Sequence, residues 1–354
     1  MKNQRAAGSE AGKTLVIQTA FLGDVILTTG LLSHLAARLG PVDVVTTPAA
    51  RPLLESHPAV GRVIAYDKRG ADRGVAGLWR LAGRLRAAGY VRVFLPHRSH
   101  RSAALARMAG IPERTGFRGS PGAWAYTRSV PRPGGGHEAE RILALAEPPP
   151  GSRAIVSLGL TAEDRAAAAA WLERHGVAGG FVAVAPGSIW GTKRWPGYAG
   201  LIRHLDGPVV VLGGPEDRDL AESIALTAPG RVHVAAGELP LRTAAAVLER
   251  AAVLVTNDSA PLHLASAVAT RTVAIFGPTI PAFGFGPRGP DDRIVEREGL
   301  ACRPCSPHGP DVCPLGHHAC MRELDVEAVL SALRPQGTGV GKQGTSPSTL
   351  TPDL

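Results

Sequence analysis

The stretch AAVLVTNDSAPLHLASAVATRTVAIFGPT, Ala251 to Thr279, reads as strand, loop, helix, strand and loop. Val253 to Thr256 is a β-branched apolar run, and Asn257-Asp258-Ser259 breaks it with residue types whose side chains cap helix N-termini. The helix is expected to start near Ala260. Pro261 loses nothing there, because a first-turn N–H has no intrahelical partner. Leu262, Ala265, Ser266 and Ala269 predict a small-residue face packed on a sheet. Thr272 to Phe276 is the next strand, ended by Gly277-Pro278. Both loops then lie at the carboxyl ends of parallel strands, where open α/β sheets bind ligands, and the helix start turns free N–H groups toward an anion. A phosphorylated ligand is implied, although an ordinary βαβ unit with a capped helix would show the same pattern.

The chain has 354 residues, which suits two domains better than one core. Its hydrophobic content of 44% is that of a globular protein. The net charge of +9, with a pI near 9.9, favours an acidic partner: nucleic acid, anionic lipid or a phosphorylated substrate. No apolar run approaches the roughly 18 to 20 residues of a membrane span. Met1 to Lys13 also lacks the apolar centre of a signal peptide, so a cytoplasmic location is expected.

Toward the N-terminus, Thr14 to Gln18 is a short strand that opens into Thr19-Ala20-Phe21-Leu22-Gly23-Asp24. Val25, Leu27, Leu31, Leu32 and Leu35 then recur at helical spacing. The loop lacks G-x-G-x-x-G, which argues against a dinucleotide site. Gly23 frees backbone room, and Asp24 sits at the helix start facing the crevice, as a plain cap or as a functional carboxylate. Strands are expected at Val42 to Thr46, Val60 to Tyr66, Val91 to Leu95 and Gly110 to Arg118. Helices are expected at Ala49 to Leu54 and His137 to Leu145, and an Arg-rich amphipathic one at Gly77 to Ala88. The loop Pro96 to Arg101 carries His97, Arg98, His100 and Arg101 at the same edge as Asp24 and would suit an anionic acceptor.

Consecutive prolines in Glu147 to Ser152 mark a linker. The division expected is a polar tail at 1–12, an N-terminal domain at 13–147, a linker at 148–153, a C-terminal domain at 154–333 and a disordered tail at 334–354. In the second domain, Thr161 with Asp164 opens a helix, and Phe181 to Ala185 is a strand. It runs into PGSIWGTKRWP, Pro186 to Pro196. Gly187 and Ser188 offer hydrogen-bond donors and Lys193 a point charge, a combination suited to a diphosphate leaving group whose charge grows during reaction. Further strands are read at Pro208 to Leu212, before Gly-Gly-Pro-Glu, and at Val232 to Ala235.

Four of these segments share one likeness. D-S-A-P-L-H-L-A with F-G-P-T closely resembles the donor-site signature of glycosyltransferase family nine, the heptosyltransferases of lipopolysaccharide core assembly. L-G-D-V-I-L-T-T-G-L-L is similar to the family's first loop, P-G-S-I-W-G-T-K-R-W-P to its P-G-S-x-W-x-T-K-x-W-P segment, and the turn ending in Glu216 to its Gly-Gly-x-Glu. The resemblance covers roughly residues 14 to 333 and implies an α/β fold of GT-B arrangement: two Rossmann-like domains with parallel sheets facing a central cleft.

The reaction implied is inverting transfer of heptose from ADP-heptose to the inner core of lipopolysaccharide, with no cofactor needed for the chemistry. Asp24 would be the base, a carboxylate near its ordinary pKa. Lys193, Ser188 and the helix start at Asp258, Ser259 and Ala260 would stabilise the diphosphate. Gly187, Thr192 and His263 would complete the donor site, with Glu216 at the ribose and Leu239 against the adenine. His97, Arg98 and Arg101 would meet the acceptor. The enzyme would touch the anionic inner face of the inner membrane and would bind no nucleic acid. A nucleotide-sugar epimerase of the same architecture and a basic nucleic-acid-binding protein are the rival readings. The latter lacks an aromatic-rich basic sheet or recognition helix.

All four cysteines, Cys302, Cys305, Cys313 and Cys320, fall in one segment, 302–320. Their C-x2-C-x7-C-x6-C spacing resembles a structural zinc or iron–sulfur site. Two disulfides, disfavoured in reducing cytoplasm, and free structural thiols are the alternatives.

Overall fold

The computed structural model describes residues 12–334; the polar segment before residue 12 and the tail from 335 lie outside the described residues. Two six-stranded parallel sheets carry the fold. The first contains β1 (Thr14–Ile17), β2 (Val42–Thr46), β3 (Val60–Ala65), β4 (Arg92–Leu95), β5 (Glu113–Phe117) and β6 (Arg128–Val130), in the order β3-β2-β1-β4-β5-β6. Its helices are α1 (Leu22–Leu39), α2 (Arg51–Leu54), α3 (Gly74–Ala88), α4 (His100–Met108) and α5 (Glu138–Leu143).

The second sheet contains β7 (Val182–Ala185), β8 (Val209–Val211), β9 (Val232–Val234), β10 (Val253–Asn257), β11 (Thr272–Phe276) and β12 (Arg293–Glu296), in the order β12-β11-β10-β7-β8-β9. With it run α6 (Ala162–Arg174), α7 (Tyr198–Arg203), α8 (Arg218–Ala225), α9 (Leu241–Glu249), α10 (Ala260–Ala267), α11 (Ala319–Arg322) and α12 (Val326–Leu333). Both sheets have the Rossmann strand order, in which the winding direction reverses at one strand pair and opens a crevice there. Those pairs are β1 with β4 and β7 with β10.

Strands covered on both faces read as continuous apolar runs. VLVTN of β10 and TVAIF of β11 are buried along their whole length, each large side chain contributing roughly 1.5–3 kcal/mol relative to exposure. Helix α1 joins the two halves. Val25, Leu27 and Leu31 pack in the core of the first sheet, whereas Ile26 lies in a core cluster with Leu264 and Ala265 of α10. On the other side of the seam, the Glu138 N–H donates to the Gly284 carbonyl at 2.8 Å and Arg141 to that of Phe283 at 2.7 Å. Arg288 returns a two-pronged pair of bonds to Glu140, each 2.9 Å.

Local chemistry explains most boundaries. Thr161 and Asp164 form the expected reciprocal capping box on α6. Ser259 departs from expectation: it occupies the N-cap position of α10 but makes no side-chain cap bond, its hydroxyl turning back to the Asn257 carbonyl at 3.4 Å. The small-residue face is corrected as well. Leu262, His263, Leu264 and Ala265 are all buried, because α10 is packed between its own sheet and α1, while Ala269 lies beyond the helix and is exposed. Strand β6 and helix α11 are short elements with no periodicity to announce them. Among the described residues no helix is long and apolar enough to cross a membrane.

Candidate active site

The loops at the two reversal points carry most of the residues singled out by sequence. After β1, the Gln18 amide donates to the Thr28 hydroxyl at 3.0 Å, and that hydroxyl donates to the Asp24 carbonyl at 2.7 Å. The neighbouring Thr29 hydroxyl accepts the Ser157 N–H at 3.1 Å. The Thr pair thus holds the loop with one member and the chain leaving the linker with the other. Asp24 is part-buried in the first turn of α1. Burial, and then the Glu138 carboxylate, push its pKa up to about 6, against a smaller opposing effect of the Phe21 N–H. The expectation of an ordinary carboxylate pKa is corrected by this enclosure.

In the second half, Asn257 at the end of β10 ties the two loops together. Its amide donates to the Pro186 carbonyl at 2.8 Å, and its oxygen accepts from the Trp195 N–H at 3.3 Å and the Tyr198 hydroxyl at 3.1 Å. One residue later, Asp258 accepts from Lys193 Nζ at 2.6 Å and from the Thr279 hydroxyl at 2.7 Å. Lys193 and Asp258 are both buried. They form one ion pair at the mouth of α10, so the ammonium is oriented by the carboxylate and is not a lone charge. Ala260 follows at the first position of α10, where a backbone N–H has no intrahelical acceptor.

His263 lies on the face of α10 turned to the first half, with its Nδ1 buried and without a protein partner. Burial above all pulls its pKa down to about 4 against the opposing charge of Asp258, leaving the ring neutral at pH 7. Gly187 is required by closeness: a Cβ there would collide with the Asp217 carboxylate. The Ser188 hydroxyl accepts the Trp190 N–H at 3.3 Å.

Three further donor-side residues differ in their surroundings. The Thr192 hydroxyl donates to the Pro310 carbonyl, and its own carbonyl accepts from His318 Nε2 at 2.8 Å, so it anchors the cysteine-bearing segment to the Lys193 loop. Glu216 is exposed, while its neighbour Asp217 turns inward to accept the Gly214 N–H at 3.1 Å. Leu239 packs on the second core and lies beside Glu238, which accepts from Trp171 Nε1 at 3.1 Å.

On the acceptor side, His97 is held at a pKa of about 4 by burial and by Lys68, with its Nδ1 unpartnered. Arg98 is exposed and donates to the Gly119 carbonyl at 3.3 Å. Arg101 is half-buried. Its guanidinium is used by the Tyr66 hydroxyl at 2.5 Å and the Gly74 carbonyl at 3.0 Å, which fixes the start of α3.

The cysteines are all free. Among the described residues no group of three or more His, Cys, Asp or Glu side chains is gathered closely enough to hold a metal ion. The segment nevertheless packs on the site: Arg303 pairs with Glu296 at 2.7 Å and donates to the Thr279 carbonyl at 3.0 Å, and the Cys305 N–H reaches the Pro278 carbonyl at 2.9 Å. Thr279, Asp217, Glu138 and Arg303 are the site-building residues the sequence reading left without a role, and Asn257, read only as a helix-capping type, instead ties the two loops together. Thr279 stood inside the quoted F-G-P-T stretch, and the others had no motif to mark them.

Two Rossmann-order sheets with a part-buried carboxylate on one side and a Lys–Asp pair at a helix mouth on the other define a two-domain transferase of GT-B architecture. The model of glycosyltransferase family 9 (heptosyltransferase) matches residues 78–311. The chain belongs to that family and is a glycosyltransferase. It is 29% identical to lipopolysaccharide heptosyltransferase 2 of Escherichia coli K12, over 77% of this chain and 84% of that protein. The solved structure of the E. coli ADP-heptose lps heptosyltransferase II superposes with a TM-score of 0.74 at 25% identity, covering 91% of this chain and 97% of that one. A family 9 glycosyl transferase from Veillonella parvula shares the fold, with a TM-score of 0.80 at 23% identity over 93% and 98% of the two chains. Family membership sets aside the epimerase and nucleic-acid readings.

Proposed function

We propose that the chain transfers heptose from ADP-heptose to the inner core of lipopolysaccharide, at the cytoplasmic face of the inner membrane, with inversion at the anomeric carbon. The observation that carries the reading is the close approach of the Asp24 loop to α10, where a Cβ on Gly23 would stand 2.5 Å from His263 Cδ2, on the helix whose mouth holds the Lys193–Asp258 pair. The acceptor hydroxyl oxygen bonds to the anomeric carbon as the bond from that carbon to the diphosphate oxygen breaks. Asp24 takes the hydroxyl proton, and ADP leaves with the bonding pair.

Asp258 aims the Lys193 ammonium, and the Ala260 N–H at the helix mouth adds a second donor for the departing charge. Gly187 and Ser188 line the same side of the cleft. A carboxylate with pKa about 6 is a stronger base than an ordinary aspartate and is still largely ionised at pH 7. Mass spectrometry of the purified protein with a panel of nucleotide sugars and a heptose-free core acceptor tests the reading. One heptose added, with ADP released, is the expected product; transfer from another nucleotide sugar but not from ADP-heptose would overturn it.

A further inference from the structure

Helix α3 carries apolar side chains on two opposite faces. Leu81 and Leu85 are buried in the first core, while Val75 and Trp79, one turn apart on the outer face, are 69% and 58% exposed. Trp124, from the short turn Ala123–Ala125, is 59% exposed and lines, with Trp79, an open groove of about 430 Å³. Arg86, Arg107, Met108 and Arg114 complete its walls. Burying so little of two tryptophans is costly for a face that meets only water.

The surrounding charge is mostly positive, the acid nearest the start of α3, Asp72, being paired with Arg80 at 3.5 Å. From Arg73 to His137 the chain holds twelve arginines, no lysine and a single acid, Glu113. Glu113 is used by Arg92 at 3.4 Å, and among the described residues Arg84, Arg86 and Arg107 pair with no carboxylate. An apolar stripe containing Trp and flanked by Arg is the pattern of an interfacial helix: indole rings favour the bilayer–water boundary, and guanidinium groups are drawn to anionic headgroups. A nucleic acid would use the arginines and could stack on the indoles. It would have no use for the aliphatic Val75 and Met108 beside them, and this favours a bilayer.

We propose that the Trp79–Trp124 face of α3 and α4 is a docking surface that seats the first half of the chain on an anionic phospholipid bilayer. The inference rests on the reading of a lipid-borne acceptor given above and names the surface that meets its membrane. Helix α3 begins at Gly74, whose carbonyl accepts from Arg101 at 3.0 Å, so its first turn is tied to the loop that carries His97 and Arg98. Trp79 lies in the second turn of a helix rising about 1.5 Å per residue, which places the docked face within one helix length of the acceptor loop.

Flotation of the full chain with vesicles of phosphatidylcholine, alone or mixed equally with phosphatidylglycerol, tests the proposal. Binding to the mixed vesicles that fades with salt is expected. Trp79→Ala/Trp124→Ala should weaken partitioning by about tenfold or more, as should Arg84→Glu/Arg107→Glu, and both should keep wild-type turnover on a soluble, lipid-free core oligosaccharide. Wild-type flotation by the double-Trp variant, or equal partitioning into neutral vesicles, overturns the proposal. So does displacement from vesicles by a single-stranded polynucleotide bound through the same two tryptophans, which would make the face a nucleic-acid surface. Wild-type turnover on the soluble acceptor is read separately, so that failure of the reaction and failure of the docking face are distinguishable.

Discussion

Gly23 and His263 meet across the cleft: a Cβ placed on Gly23 would stand 2.5 Å from His263 Cδ2. The glycine is required here by an approach between halves and not by a turn, and it lies next to Asp24. Gly23→Ala must therefore push α10 away from α1 or turn the imidazole. A shift of about 1 Å at the reacting groups can cost on the order of 10²-fold, so turnover should fall by that order. Gly23→Ala/His263→Gly, which reopens the space, should turn over faster than the product of the two single effects predicts. A double variant as slow as the product of the two single effects would show that the contact is incidental.

Asp24→Asn should reduce turnover by roughly 10² to 10⁴ if the carboxylate takes the proton. The sign of its effect on stability is opposite. The folded-state pKa of about 6 lies above the ordinary 3.8, so the folded state holds the proton more tightly than the unfolded one. Stability contributed by this group is lost as pH rises through that window, and the ionised form is a burden above it. Asp24→Asn should thus be more stable than wild type at pH 8, on the order of 1 kcal/mol, and this advantage should vanish near pH 4. Urea melts at the two pH values check it; equal stability at both would mean that the carboxylate is not enclosed.

The wild-type pH–rate profile should rise through an acid limb near pH 6, where Asp24 ionises. Glu138 is the nearby carboxylate that helps to raise that pKa, so Glu138→Gln should move the limb to lower pH. It should also cost stability, because Arg141, paired with Glu138 at 3.4 Å, is itself buried. A limb that stays in place in Glu138→Gln would assign it to another group.

Lys193→Ala removes the leaving-group cation and should lower turnover about 10²-fold. It also strands the buried Asp258 carboxylate, a loss of roughly 3–5 kcal/mol by the usual cost of breaking a buried pair. Lys193→Ala/Asp258→Asn should recover most of the stability and little of the turnover. If the double variant turns over near the wild-type rate, the pair is structural and the diphosphate is held elsewhere.

For the cysteine-bearing segment, elemental analysis of protein purified without chelator decides between a metal site and structural thiols: less than about a tenth of an equivalent of zinc or iron ends the metal reading. Near-stoichiometric metal would mean that the four thiols reorganise around an ion. If the thiols are structural, Cys302→Ser should be mild, since that thiol is only part-buried.

Two kinds of information were separable in this protein. Strands such as β10 and β11, the capping box at Thr161, and the loops bearing Asp24, Gly187, Lys193 and Asp258 were legible from the chain, because β-branched runs, cap residues and glycine-bearing turns act over a few neighbouring residues. Parallel strands with helical crossovers put those loops at one edge, which follows from connectivity. The sequence could not show which side chains would be consumed once the halves met. Arg101 is used by Tyr66 and Gly74, Thr192 by Pro310, and Lys193 by Asp258, across sequence separations of 35, 27, 118 and 65 residues. Nor could it show that Asp24 would be enclosed beside Glu138, or that α10 would be buried between its own sheet and α1. Burial and pairing depend on what lies across a gap, and a local pattern carries no information about the far side; only the packing of two sheets against a shared seam decides it.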